Sequence, residues 1–326
     1  VAGFSYNTNE HLVRTNLWSS QIKEVLLEEL LGMKYVDMVT DFPDGDTLNI
    51  PSIGQMDVLD YAEGQAIRYT AMDTGNFTFT INKYKSSATY ITNKMKQDSF
   101  YMSRLVSSFV PRQHRALMKA IEVDVLNIGP SAQTASNKNA INGADHRLIA
   151  SGGSNAARTL GVIDFAKALY ALEVANVPAT NLVAIVDPSV EYTLNTLTNI
   201  ANVSTNPRWE GIVSTGLNST GMRFIKNVYG FDVYTSVNLP KLTAAETITD
   251  GQSVARTTGS APIQNIFFSA APDVLPFIGS IRQPPTVESE YKKDLQREEY
   301  VTVCRYGFKL FRPENFVCVL SDAVIS

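Results

Sequence analysis

Cysteine, histidine and long apolar runs are all scarce in this chain, and each scarcity excludes a class of protein. Only two cysteines occur, Cys304 and Cys318, which make no disulfide framework and fit no zinc pattern. Buried, reduced thiols and synthesis in a reducing cytoplasm are the expectation. Three histidines, His11, His114 and His146, stand far apart with no neighbour at metal-ligand spacing, so no metal and no cofactor are expected. No apolar run approaches the ~20 residues that span a bilayer, which argues against a membrane partner. The opening residues, VAGFSYNTNEHLVRTNLW, carry neither the basic nor the apolar part of a secretory signal. An excess of one charge is missing too. With 28 Lys and Arg against 32 Asp and Glu, the formal net charge is −4, so there is no global attraction to nucleic acid or anionic lipid.

What is present is globular. The 326 residues are 44% hydrophobic and 18% charged, enough for one large core or two domains. Residues 1 to 16 are polar and without period, which predicts an extended arm. Then LWSSQIKEVLLEELLGM places Ile22, Val25, Leu26 and Leu30 on a helical stripe, capped by Ser19 or Ser20 and stopped by Gly32. Short strands are expected around the turn Pro43-Asp44-Gly45. Farther on, Phe77, Phe79 and Ile81 alternate with Thr78, Thr80 and Asn82, a strand period. The segment before them, rich in Asp57, Asp60, Glu63 and Gly64, is too polar to bury both faces, and a lone two-stranded ribbon is marginal in water. It therefore needs a surface to lie on, in its own chain or a neighbour's. The basic run NKYKSSATYITNKMK is expected to be a solvated strand face rather than a polyanion site.

Helical sequence returns before and after Pro111, where a break is expected, and Leu117, Ile121 and Val125 form a second stripe that Gly129 ends. The stretch from Pro130 to Ala157 is poor in apolar residues and predicts a long surface loop. An α/β block follows. VIDFAKALYALEVANVP reads as a helix, NLVAIVDPSVEYTL as a buried strand, a turn and a helix start, and VYGFDVYTSVNLP and QNIFFSAAPDVLPFIG as strands flanking a polar insert at 243–262. The chain closes on DLQREEYVTVCRYGFKLFRPENFVCVLS, in which dense charge gives way to two apolar stretches expected to alternate. These place a long charged ribbon beside a buried strand pair holding both cysteines.

No motif carries catalysis. Asp145, His146, Ser151 and Ser154 share a loop, but the strand–helix elbow of a serine hydrolase is missing. GLNSTGM lacks the Lys-Ser/Thr of a phosphate loop, and DFPDGDTL lacks the distant Glu of a calcium loop. The reading is therefore a chain without catalytic, cofactor or metal residues.

The order of elements is more informative. The series NLWSSQIKEVLLEELLGMKYVDMVTDFPDGDTLNIPSIG, with Trp18-Ser19 opening a helix and Gly45 to Pro51 opening a hairpin, resembles the start of tailed-bacteriophage major capsid proteins with the Hong Kong 97-type fold. RALMKAIEVDVLNIG is similar to the end of that family's spine helix. NLVAIVDPSVEYTLNTL and VYGFDVYTSVNLP are similar to its axial-domain units, and the closing stretch to its last strands, with an Arg-x-Gly turn. The resemblance implies an α+β fold: an N-terminal arm and first helix (1–49), an E-loop hairpin (50–92), a peripheral domain (93–130 and 265–326) and an axial domain (131–264). It implies a structural, non-enzymatic protein that self-assembles through hexamers and pentamers into an icosahedral shell, assembled in the bacterial cytoplasm and resident in the virion. Double-stranded DNA would be enclosed through weak, non-specific contact, with portal, scaffolding or decoration proteins as further partners. The alternatives are an encapsulin-type compartment and, further off, a soluble α/β enzyme. Contact with neighbouring subunits is expected at Met56, Val58, Leu59, Ile67 and Met72 on the hairpin. The mixed charges of the ribbon, Glu290, Lys292, Lys293, Arg297 and Glu298, are expected to set register between subunits.

Overall fold

A computed structural model describes residues 31–40, 47–53, 63–64, 74–98, 102–154, 157–196 and 227–324. The expected arm, the helix opened by Trp18-Ser19, the Pro43-Asp44-Gly45 turn and Met56, Val58, Leu59, Ile67 and Met72 lie outside these residues. Among the described residues five α-helices appear: α1 (Asn93–Asp98), α2 (Met102–Leu126), α3 (Ile128–Ala132), α4 (Val162–Val174) and α5 (Pro188–Thr196).

The strands are of two kinds, and burial explains the difference. The first kind builds a mixed six-stranded sheet. Its members in spatial order are β5 (Arg147–Ile149), β14 (Val317–Ser321), β11 (Ile263–Ser269), β6 (Leu182–Val186), β8 (Phe231–Thr235) and β7 (Asn227–Val228). Every residue of β5, β6, β11 and β14 is buried. Ile185, Ile266, Phe268, Cys318 and Leu320 point to a core shared with α2. Ala184, Val186, Phe267, Val317 and Val319 point the other way, onto α4 and α5. A sheet covered on both faces has no reason to alternate. This is why FVCVL, expected to alternate, is apolar throughout. Of the polar side chains within β11, Asn265 is satisfied there. Its Nδ2 donates to the Val319 carbonyl at 3.0 Å and to Ser321 Oγ at 2.8 Å, and its Oδ1 accepts the Asp187 N–H at 3.0 Å.

The second kind is covered on one face. β1 (Val36–Met38), β12 (Phe277–Lys292), β13 (Arg297–Leu310) and β4 (Lys83–Thr92) form a four-stranded sheet in that order. Along β13, Tyr300, Thr302, Cys304 and Tyr306 are buried and the residues between them are half exposed. The buried row faces α2: Tyr306 donates its hydroxyl to Asp124 at 2.6 Å and Thr302 donates to Gln113 at 3.3 Å. Beyond its short pairing with β1, β12 is an edge among the described residues, and its register slips around Pro284 and Pro285, which have no N–H to give. Two small antiparallel pairs complete the strands: β2 (Thr47–Ile53) with β3 (Thr74–Thr80), and β9 (Thr247–Thr249) with β10 (Ala255–Thr257). In β3 and the residue after it, Phe79 and Ile81 are buried between exposed neighbours, as their alternation predicts.

Four sequence expectations are corrected. Helix α2 does not break at Pro111 but runs through it. A proline inside a helix costs about 3 kcal/mol. Leu117, Ile121 and Val125, all buried on one stripe, contribute roughly 1.5–3 kcal/mol each and outweigh it. The Pro130–Ala157 stretch is not wholly a surface loop, because residues 144 and 146–150 are buried and include β5. Arg305-Tyr306-Gly307 is no turn; it lies within β13, where a Cβ on Gly307 would come 2.7 Å from the Thr80 carbonyl oxygen as β3 crosses. Gly129 does not end a helix but sits inside α3. It is small because the Phe316 ring lies against it, and an added Cβ would fall 2.2 Å from Phe316 Cε2.

Helix α2 also ties in the chain that enters β1. Buried Glu122 accepts the Leu31 N–H at 2.8 Å and the Gly32 N–H at 2.7 and 2.9 Å. The six-stranded sheet takes β5, β6, β7 and β8 from before residue 264 and β14 from after it, so one sheet spans both parts of the sequence.

The Gly129 contact generates a stability prediction. Gly129→Ala is expected to lower unfolding free energy by about 1–3 kcal/mol through overpacking, and Phe316→Leu in the same chain to recover part of it. Urea denaturation of the three proteins measures this. Equal stability of Gly129→Ala and the parent would show that the Phe316 ring yields freely.

Candidate assembly surfaces

The polar side chains that suggest catalysis are committed to the fold. The buried His146 ring has Nδ1 3.0 Å from the Ala144 carbonyl oxygen and Nε2 3.3 Å from that of Glu314. Asp145 turns elsewhere and accepts the Gly251 N–H at 2.7 Å. Ser151 gives its backbone N–H to Asp164 at 3.0 Å. These groups do not converge on one reacting position. Among the described residues, no set of three or more His, Cys, Asp or Glu side chains is placed to hold a metal, and no helix is long and apolar enough to cross a membrane. Next to His146, Arg147 is buried and meets buried Glu246 through Nη2 at 2.8 Å and Nε at 3.1 Å. That pair fastens the β9–β10 insert to β5 at the sheet edge. Within the basic run after Ile81, Lys85 lies 2.6 Å from Asp124 and Lys96 pairs with Glu298.

The surfaces left over are the exposed face of the four-stranded sheet and the far end of β12–β13. With 16 and 14 residues, these strands extend for ~50 Å at ~3.3 Å per residue. On the outer face, cross-strand register aligns Tyr90 with Glu299 and Glu290, and Thr92 with Arg297 and Lys292. Glu299 is shared by Lys292 at 2.8 Å and Arg297 at 2.6 Å, and Arg297 lies 4.6 Å from the centre of the Tyr90 ring. Hydrogen bonds from Lys292 and Arg297 hold the Glu299 carboxyl below its ordinary range. On the other face Glu298 pairs with Lys96, and Asn93 donates to Tyr291 at 2.7 Å and to Gln296 at 2.9 Å. Lys292, Arg297 and Glu298 are thus engaged inside the chain, whereas Glu290 and Lys293 are exposed and stand outside these ion pairs. Sequence reasoning missed Lys96, Tyr90 and Glu299 as their partners. Only the register of β4 against β13 brings them together.

The cysteines are corrected here as well. Cys304 is on β13 and Cys318 on β14, in different sheets, so they do not share a strand pair. Both are free and buried. Burial pushes the Cys318 thiol up to about 12 and the Cys304 thiol upward as well. A thiol raised in the folded state supports the fold below its unfolded pKa and loses that support as pH climbs. Stability is therefore expected to decline between the ordinary thiol value of 9.0 and about 12, and Cys318→Ala to shallow that decline. Urea midpoints across this range measure it. A slope unchanged by Cys318→Ala would contradict it.

The class of protein follows from the architecture. In comparisons of structure, the chain is similar to the solved capsid of Cyanophage P-SCSP1u, with a TM-score of 0.73 and 14% identity over 98% of this chain and 95% of that one. A structure from Mycobacterium phage Che8 gives a TM-score of 0.65 at 18% identity, over 93% of this chain and 96% of that one. The mature capsid of bacteriophage PhiM1 gives 0.66 at 11% identity, over 94% and 91%. These define an α+β chain with the Hong Kong 97-type capsid fold. No curated protein matches the chain in sequence. A family model described as phage capsid protein matches residues 76–319, and the chain belongs to that family. Its function is structural: a phage capsid protein, resident in the virion.

Proposed function

We propose that copies of this chain form the hexamers and pentamers of an icosahedral shell around double-stranded DNA, meeting one another through the β2–β3 hairpin and the end of the β12–β13 ribbon. The carrying observation is a sheet whose outer face has no cover within the described residues, in a chain of a capsid family. In this reading residues 1–49 are the arm and first helix and 50–92 the E-loop. Helix α2 is the spine, 93–130 and 265–326 are peripheral, and 131–264 are axial. Met56, Val58, Leu59, Ile67 and Met72 then bury against a neighbour. The near balance of 28 basic and 32 acidic residues suits an inner surface that holds DNA without gripping it. Portal, scaffolding and decoration proteins are the further partners of such a shell.

The ion pairs within the ribbon sharpen the register idea. Lys292, Arg297 and Glu298 hold the ribbon's own shape, which leaves Glu290 and Lys293 as the charges offered to a neighbour. Exchanging them (Glu290→Lys with Lys293→Glu) keeps net charge and disturbs little in the chain, since exposed substitutions change stability by under ~0.5 kcal/mol. Repetition of each contact around a shell turns even ~1 kcal/mol into a large shift of the assembly threshold. Light scattering and electron microscopy are expected to give large closed particles from the parent and folded, dissociated subunits from the exchange variant. Parent-like particles from the variant would remove the register role. Absence of large particles from the parent would remove the shell.

A further inference from the structure

The β2–β3 hairpin is joined to β4 by Ile81 and Asn82 alone and, among the described residues, its strands pair only with each other. A two-stranded ribbon on so short a joint is free to swing unless something fixes its direction. Its root rests on a small separate core of Phe79, Ile81 and Ile278, with Phe77 and Phe311 at the margin. Apolar contact of this kind is non-directional. A directional contact comes from Lys309. Its Nζ donates to the Thr78 carbonyl at 2.7 Å and stands 4.6 Å from the centre of the Phe77 ring, which meets Phe311 edge-on at 5.0 Å. One side chain from β13 thus holds both a backbone oxygen and a ring of β3. Lys309 also lines a notch of about 200 Å³ that contains Asp124. Asp124 is taken by Lys85 at 2.6 Å and by the Tyr306 hydroxyl at 2.6 Å, and Lys309 reaches to the hairpin instead.

We propose that Lys309 is a clasp that sets the direction of the hairpin in the free subunit, so that a neighbouring copy meets an arm already aimed. The purpose of the clasp rests on the reading of this hairpin as an intersubunit element. A preset arm lowers the ordering cost of association, which a swinging one would incur at every contact.

Lys309→Met keeps the apolar stem on Phe77 and removes the charge and donors; Lys309→Arg keeps both. Amide hydrogen exchange is followed on subunits held below the assembly threshold, with particle yield measured in parallel above it. In Lys309→Met, exchange across residues 74–80 is expected to rise on the order of ten-fold while α2 and β11 keep parent rates, with Arg restoring protection. Parent-like exchange at 74–80 overturns the clasp. A rise spread evenly over α2 and β11 also overturns it, because Lys309 would then be a general stabiliser. Loosened exchange with parent-like particle yield leaves the clasp standing and overturns instead the assembly reading of the hairpin.

Discussion

Helix α2 presses against two sheets at once, and the rest of the chain is arranged around that demand. Its stripe of Leu117, Ile121 and Val125 shares one core with Ile266 and Phe268 of the six-stranded sheet and with Cys304 and Tyr306 of the four-stranded one. On the same helix, Asp124 accepts Tyr306 and Glu122 holds the backbone entering β1. A proline in such a helix is tolerable because the loss of one backbone hydrogen bond is local, whereas burial acts along the whole stripe.

From that geometry comes an inequality between the sheets. The six-stranded sheet is enclosed by α2 on one side and α4 and α5 on the other, and Asn265 finds its partners inside it. Among the described residues, the four-stranded sheet has helix on one face only. Its far end is kept soluble by charge, and those charges are largely neutralised within the chain through Glu298 and Glu299. An edge of this length, covered by opposed charges, resists indiscriminate strand pairing while staying open to a matched surface. A capsid subunit needs both properties, since it folds alone and then packs against many copies of itself.

Two of the buried ionic groups differ in what they do. Arg147 and Glu246 fasten an insert across a sheet edge, where removing either partner would leave the other charge buried and uncompensated. Glu122 has no cationic partner in its bonds to Leu31 and Gly32; backbone N–H groups take that place. Both tie segments far apart in sequence, and neither was readable from local pattern.

Much of the fold was legible in the residues themselves. An apolar run without alternation announced β6, alternation announced β3 and the buried row of β13, and a stripe at four-residue spacing announced the second half of α2. These signals are local, because a side chain's period reports directly which faces meet water. What the sequence could not decide was partnership. That Glu299 serves Lys292 and Arg297, that Cys304 and Cys318 lie in separate sheets, that Gly129 makes room for Phe316 and that Lys309 holds Phe77 all depend on register and crossing between distant segments. Such contacts are set by how the sheets pack on α2. Only the tertiary structure carries that information, since no residue's neighbours in sequence encode its neighbours in space.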